Sequence, residues 1–193
     1  KYPSRLSIKT NAHALARYSA LAQESGMVPI VEPEVLMEGS HSADDCYKKT
    51  SEVIKNCFDE LELNKVDLKG VILKPNMILP GSNSDKKISK EEIARLTVQC
   101  LKDSVPSEVP GIAFLSGGQT DIEATENLNQ INISNNTNFI MTFSYGRALQ
   151  QSALKFWSND IKNIKDTQKL FNHRANMCHL AAQGKWSKEL ENK

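Results

Sequence analysis

Four short apolar runs constrain this chain most. They are Met27-Val-Pro-Ile-Val-Glu-Pro33, Gly70-Val-Ile-Leu-Lys-Pro75, Gly111-Ile-Ala-Phe-Leu-Ser116 and Phe139-Ile-Met-Thr-Phe-Ser144. Each is rich in β-branched or aromatic residues and bounded by Gly, Pro or Asn, the signature of a buried strand. The apolar character is continuous, not alternating, which suits a parallel sheet covered on both faces. Ile30 to Ile72 and Ile72 to Phe114 each span 42 residues, and Phe114 to Thr142 spans 28, so every crossover has room for a helix. No identity repeats at that period, which excludes a solenoid. The pattern predicts (β/α) units of a barrel or of an open doubly wound sheet.

Helical patterns fill the gaps. Asn11 is positioned to cap a helix ending near Glu24, with Gly26 as its stop. Residues 43–63 place Cys46, Val53, Ile54, Cys57, Phe58 and Leu61 at spacings that suit one helical face. Ser89-Lys-Glu-Glu92 and Thr120-Asp-Ile-Glu123 read as capping boxes. Two more helices are expected at about 147–157 and 161–183, with Gly184 at the stop. Residues 127–138 hold six Asn in 12 positions and read as a surface connection, and 185–193 as a solvated helix end or tail. No linker interrupts the chain, so residues 1–193 read as a single domain.

Composition narrows the function classes. Lys+Arg 24 against Asp+Glu 23 leaves a net charge of +1, which gives no electrostatic reason to expect nucleic acid or an anionic membrane as the main partner. No apolar run approaches the roughly 20 residues of a membrane helix, and the first residues carry no apolar signal core. Cys46, Cys57, Cys100 and Cys178 lie far apart without a CxxC, so they read as free thiols in a reducing cytoplasm, not as a zinc or disulfide framework. Two glycosylation patterns begin at Asn132 and Asn135 and read as idle in that compartment. His13, His41, His173 and His179 show no metal spacing and read as surface or packing residues.

Polar residues close all four runs, at the end where parallel α/β folds build their sites. Lys74 ends the second run. Lost hydration there would lower its pKa and favour a neutral amine able to attack a carbonyl, though a lysine at a strand end can also snorkel to solvent. Glu32 and Glu34 flank Pro33; crowded on one side of an extended segment they suit general acid–base work, or they are two solvated carboxylates at a loop start. Ser116-Gly-Gly118 offers backbone N–H groups to an anion just before a helix, or makes a plain turn. Gly146 and Arg147 close the fourth run, and Arg147 is a bidentate donor suited to phosphate.

Taken together, these segments resemble one family. Leu-Lys-Pro-Asn-Met (73–77) is similar to the imine-lysine strand of class I (Schiff-base) fructose-bisphosphate aldolases. Val-Pro-Ile-Val-Glu-Pro-Glu (28–34), Phe-Leu-Ser-Gly-Gly-Gln (114–119) and Thr-Phe-Ser-Tyr-Gly-Arg-Ala-Leu-Gln (142–150) resemble the same family, as do residues 11–18 and 127–132. The resemblance runs from about Pro3 to Trp186. It implies a (β/α)8 TIM barrel of which this chain supplies strands five to eight. The implied reaction is glycolytic and gluconeogenic: metal-free, cofactor-free, reversible cleavage of fructose 1,6-bisphosphate to dihydroxyacetone phosphate and glyceraldehyde 3-phosphate. Lys74 would form the Schiff base, Glu32 would shuttle protons, and Glu34 would hold the charge network. Ser116, Gly117, Gly146 and Arg147 would bind one phosphate. An aspartate and two further lysines of the family site belong to its first half, and the family's terminal Tyr has no counterpart here. Small-molecule sugar phosphates, a homotetramer and a cytoplasmic location complete what the resemblance implies. The competing reading is a barrel fragment without independent activity, acting at most as a binding scaffold. A third is another imine-forming sugar aldolase, against which the double phosphate loop points to a bisphosphate.

Overall fold

The computed structural model describes residues 3–192. Lys1, Tyr2 and Lys193, which the single-domain reading and the tail reading include, lie outside the described residues. The elements are α1 (Arg5–Glu24), β1 (Ile30–Val31), α2 (Ala43–Leu63), β2 (Ile72–Leu73), α3 (Lys90–Ser104), β3 (Gly111–Phe114), α4 (Asp121–Ser134), β4 (Ile140–Phe143), α5 (Arg147–Asn159) and α6 (Ile164–Ala181). The strands form one parallel sheet in the order β1-β2-β3-β4, with Val31 opposite Leu73, Leu73 opposite Ile112, and Phe114 opposite Phe143. Four consecutive βα units in sequential order are half the circuit of an eight-stranded barrel.

Each strand is shorter than its apolar run. Pro29 and Pro33 flank β1 and Pro75 follows β2, and proline has no N–H to give a ladder. Pairing continues as single bonds, Ile72 N to Pro29 O at 3.1 Å and Lys74 N to Val31 O at 2.7 Å. The expectation of strands buried on both faces is corrected. Val31, Leu73, Ile112 and Phe114 are 0% exposed because the helices cover their side of the sheet. On the opposite face the edge strands are open, with Ile30 and Ile140 44% and 74% exposed, while Ala113 of the inner strand β3 is 6% exposed. Period-two alternation puts Glu32 with Ile30, Lys74 with Ile72, and Ser144 with Ile140 on that concave face. Among the described residues no second layer lies over it.

The helix starts follow their caps. Asn11 lies inside α1, not at its start, because Ser4 is the cap: its hydroxyl accepts from Ser7 N at 3.1 Å. The box at Thr120 is complete, with Glu123 returning to the Thr120 N–H. At Ser89 it is half formed: Ser89 accepts from Glu92 N, while the Glu92 carboxylate pairs with Arg95. The Asn-rich stretch is not a surface connection throughout. Residues 127–134 are the second half of α4, with Asn127, Leu128, Asn129 and Ile131 buried against the core, and the connection begins at Asn135.

The C-terminal stretch is also corrected, from solvated tail to docked segment. Trp186 is buried, its N–H donates to Asn129 Oδ1 at 2.9 Å, and its indole donates to Glu191 at 2.7 Å. Arg174 of α6 grips Glu191 with both guanidinium nitrogens, at 3.0 and 2.6 Å. Three of the cysteines, Cys46, Cys57 and Cys100, join Cys178 in being free and buried. No helix among the described residues is long and apolar enough to cross a membrane.

Candidate functional site

All four strand ends open on the same side of the sheet, because the strands are parallel. Lys74 leaves β2 onto the concave face, half-buried, and its Nζ lies 3.0 Å from Glu32 Oε1 at the end of β1. The register explains the pair: Val31 faces Leu73, so the next residue of each strand falls side by side. An isolated desolvated amine is therefore not what the fold builds. It builds an amine within one proton transfer of a carboxylate.

Glu34 is turned by a short bend, its N–H donating to Glu32 O at 3.1 Å. Burial pushes its carboxyl above the usual range, and Glu32 and Glu38 add to the rise, while Lys74 and Arg147 oppose it. For Glu34, burial outweighs the crowding by Glu32 as the cause of the rise. Arg147 stands at the other edge of the sheet, yet it acts electrostatically on Glu34.

The two glycine loops sit on adjacent strands, joined by Ser144 N to Phe114 O at 2.8 Å. Gly117 and Gly118 have φ of 54° and 81°, a region that disfavours side chains. A Cβ on Gly117 would also meet Leu115 Cδ1 at 3.2 Å and Met37 Sδ at 3.3 Å. Gly146 is the N-cap of α5, and it offers no side-chain cap, so the first N–H groups of α5 are left for another acceptor. Open space surrounds the Cβ position of Gly146. Arg147 is exposed and forms no ion pair among the described residues. Behind it, Tyr145 is buried and its hydroxyl donates to Ala124 O at 2.9 Å, which fixes the loop to α4.

Sequence reasoning assigned no role to the amide residues that brace these loops. Asn76 is buried two residues beyond Lys74: its Oδ1 accepts from Val35 N at 3.0 Å, and its Nδ2 donates to Thr50 Oγ1 at 3.0 Å. It thereby ties the loop carrying Glu34 to the strand end carrying Lys74. The signal was an amide inside a run of otherwise apolar residues, Pro75 to Leu79. Arg174 had a signal too: it opens the buried face Arg174, Met177, Cys178, Ala181, at i, i+3, i+4 and i+7.

The loops after β1 and β2 are also zipped to each other. Gly81 N donates to His41 O at 2.9 Å, Ser82 N to Met37 O at 2.8 Å, and Asn83 N to Gly39 O at 2.9 Å. A Cβ on Gly81 would lie 2.2 Å from Gly39 O. Gly81→Ala is therefore expected to destabilise the chain by about 2–3 kcal/mol in urea unfolding. An unchanged midpoint would show that the loops part without penalty. The remaining histidines stay outside the site: His13 pairs with Glu60, His173 approaches Glu191, and His179 meets Gln183. Among the described residues no group of three or more His, Cys, Asp or Glu is placed to hold a metal ion.

Comparison with known proteins adds three findings. Residues 1–193 match the family model described as fructose-bisphosphate aldolase class-I. The chain is 48% identical over 185 residues to a probable fructose-bisphosphate aldolase class 1 of Xanthomonas campestris pv. campestris, covering 95% of this chain and 55% of that protein. It is 48% identical over 183 residues to the cytosolic fructose-bisphosphate aldolase 4 of Arabidopsis thaliana, covering 94% and 47%. The ternary co-crystal structure of fructose-bisphosphate aldolase from Plasmodium falciparum, in complex with TRAP and a small-molecule inhibitor, superposes with a TM-score of 0.93. It is 42% identical and covers 96% of this chain and 53% of that one. The chain thus spans about half the length of the relatives it matches, and its fold is a partial TIM barrel.

Proposed function

The chain belongs to the class-I fructose-bisphosphate aldolase family, and from that premise we propose that it supplies the imine lysine and one phosphate site of such a lyase. The Lys74–Glu32 pair at 3.0 Å, on the concave face between the glycine loops, carries the reading. Glu32 takes a proton from the Lys74 ammonium, and the freed amine attacks the C2 carbonyl of the open-chain ketose. Glu32 returns the proton to the carbinolamine oxygen, and water leaves to give the protonated imine. When the C3–C4 bond breaks, its electron pair forms the C2=C3 bond of the enamine and the imine π pair moves to nitrogen, while the C4 hydroxyl gives its proton to Glu32, a carboxylate again, and becomes the aldehyde. Protonation of the enamine at C3 and hydrolysis of the imine release dihydroxyacetone phosphate and restore Lys74. Glu34 holds the charge balance around Lys74. The N–H groups of the Ser116–Gly118 loop, together with Gly146 and Arg147, hold one substrate phosphate.

Residues 1–193 act as a single domain, a reading supported by a core that runs continuously from α1 and α2 through the sheet to α6. In the complete protein the barrel closes, the assembly is a homotetramer, and the compartment is the cytoplasm. The cytosolic name of the Arabidopsis relative supports the last point. Sugar phosphates, not nucleic acid or membrane, are the partners, in keeping with a net charge of +1.

The direct test is incubation with dihydroxyacetone phosphate and borohydride, followed by mass analysis. One stable adduct at Lys74 is expected; no adduct, or one at another lysine, would sink the assignment. Arg147→Ala is expected to weaken phosphate-ligand binding about tenfold, the scale of a lost charge-assisted contact. Unaltered affinity would move the phosphate elsewhere. A second reading is favoured by the open concave face, where Ile140 is 74% exposed. In that case the chain alone binds sugar phosphates without turnover, and trapping would proceed while cleavage would not.

A further inference from the structure

We propose that Gln119 and Asn127 form a clasp that holds the Ser116–Gly118 loop in its anion-binding shape, and so act as positioning residues for the substrate phosphate. The inference rests on the reading of that loop as a phosphate site.

Gln119 lies just past the loop, and its side chain folds back over it. Its Nε2 donates to Ser116 O at 2.9 Å, and its own backbone N–H donates to the same oxygen at 3.0 Å. The Ser116 carbonyl is thus held by two donors, while the N–H groups of Gly117 and Gly118 have no hydrogen-bond partner among the described residues. Two successive left-handed glycines with unpaired N–H groups form a concavity suited to an anion. Gln119 Nε2 also touches Met77 Sδ at 3.6 Å, three residues beyond Lys74, so the same amide links the phosphate loop to the strand end of the imine lysine.

Asn127 holds Gln119 in turn. It is 4% exposed on α4, and its Nδ2 donates to Gln119 Oε1 at 2.6 Å. The orientation of both amides follows from chemistry. Ser116 O accepts only, so Gln119 must present Nε2 to it and Oε1 to Asn127, and Asn127 must answer with Nδ2. That leaves Asn127 Oδ1 buried without a partner. A buried unpaired acceptor is unfavourable, and an apolar side chain of similar size would avoid it. What the asparagine provides in return is its hold on Gln119.

The test titrates the 193-residue chain with inorganic phosphate by calorimetry. In parallel, Lys74 is trapped with dihydroxyacetone, which lacks a phosphate, and with dihydroxyacetone phosphate. Gln119→Leu is expected to raise the phosphate Kd about tenfold, the equivalent of one lost bond to a charged group. Asn127→Leu should do the same, and the double variant should be no weaker than either single one, because both remove one clasp. Trapping with dihydroxyacetone should be unchanged while trapping with its phosphate falls. A folded Gln119→Leu chain that binds phosphate normally would overturn the clasp. So would multiplying effects in the double variant, or an equal loss of trapping with both ketones, which marks general damage. Should Asn127→Leu not fold, Gln119→Leu decides alone. If the unaltered chain forms the Lys74 adduct yet binds no phosphate, the loop assignment falls and takes the clasp with it.

Discussion

Lys74→Met abolishes the borohydride-stable adduct with dihydroxyacetone phosphate and, in the complete barrel, lowers cleavage by at least ~10³-fold. The size follows from removing the nucleophile, since the carboxylates and phosphate loops left behind retain only binding and acid–base terms. Methionine replaces the apolar stem of the lysine and is shorter only by the amine, so the strand end should stay packed. The variant also separates two roles. Phosphate affinity should be preserved, because the Ser116–Gly118 and Gly146–Arg147 loops do not depend on the amine. Measured Kd for inorganic phosphate and adduct mass together decide it. Residual cleavage within tenfold of the unaltered protein would show that another lysine carries the imine. Glu32→Gln makes a useful companion: it keeps a hydrogen-bonding partner 3.0 Å from Nζ but cannot accept the proton.

The largest effect on stability is expected at the other end of the chain. Arg174 and Glu191 are 6% and 10% exposed as side chains and joined by two hydrogen bonds. Arg174→Met leaves Glu191 buried without its cation, which should destabilise by about 3 kcal/mol and lower Tm by roughly 10 °C. The double change Arg174→Met with Glu191→Leu should recover most of that loss, because no charge is left stranded. A single variant as stable as the unaltered chain would show that the C-terminal segment is not held by this pair. The same pair sets an acid limit. Burial alone would push the Glu191 carboxyl up, but Arg174 and the Trp186 indole outweigh it and hold it below the ordinary value of 4.5. A carboxyl with a lowered pKa in the folded state contributes stability that is complete above 4.5 and fades as pH falls through the lower, folded value. Urea midpoints should therefore drop below pH 4.5 more steeply in the unaltered chain than in the double variant.

Much of the fold was legible in the residues. Helix α2 begins and ends at the expected Ala43 and Leu63, because its apolar face repeats with the helical period and Ser42 caps it. The strands were found in place and order, since Gly and Pro punctuate each run. Their lengths were not legible, because ladder pairing depends on what a neighbouring strand presents, and Pro29, Pro33 and Pro75 withhold donors. The start of α1 was missed because Ser4 lies a full two turns before the first recognised cap, and both it and Asn11 are good cap residues.

The chemistry of single residues was open to sequence reasoning, and their partnerships were not. Lysine, carboxylate, glycine and arginine each advertise a reaction type at a strand end, so Lys74, Glu32, Glu34, Ser116, Gly117, Gly146 and Arg147 could be named as candidates. That Lys74 meets Glu32 is a matter of register between two strands 42 residues apart. That the Arg147 charge bears on the Glu34 carboxyl is a matter of the folded arrangement of strands 110 residues apart in the chain, not of their spacing. The amides Asn76, Gln119 and Asn127 are ordinary polar residues until burial removes water and obliges them to bond to protein. The sequence by itself determined which groups stand at the strand ends and which family they resemble. Only the tertiary structure decided which of those groups face one another, because hydrogen bonds and ion pairs depend on distance in space and on the exclusion of water, and neither is a property of spacing along the chain.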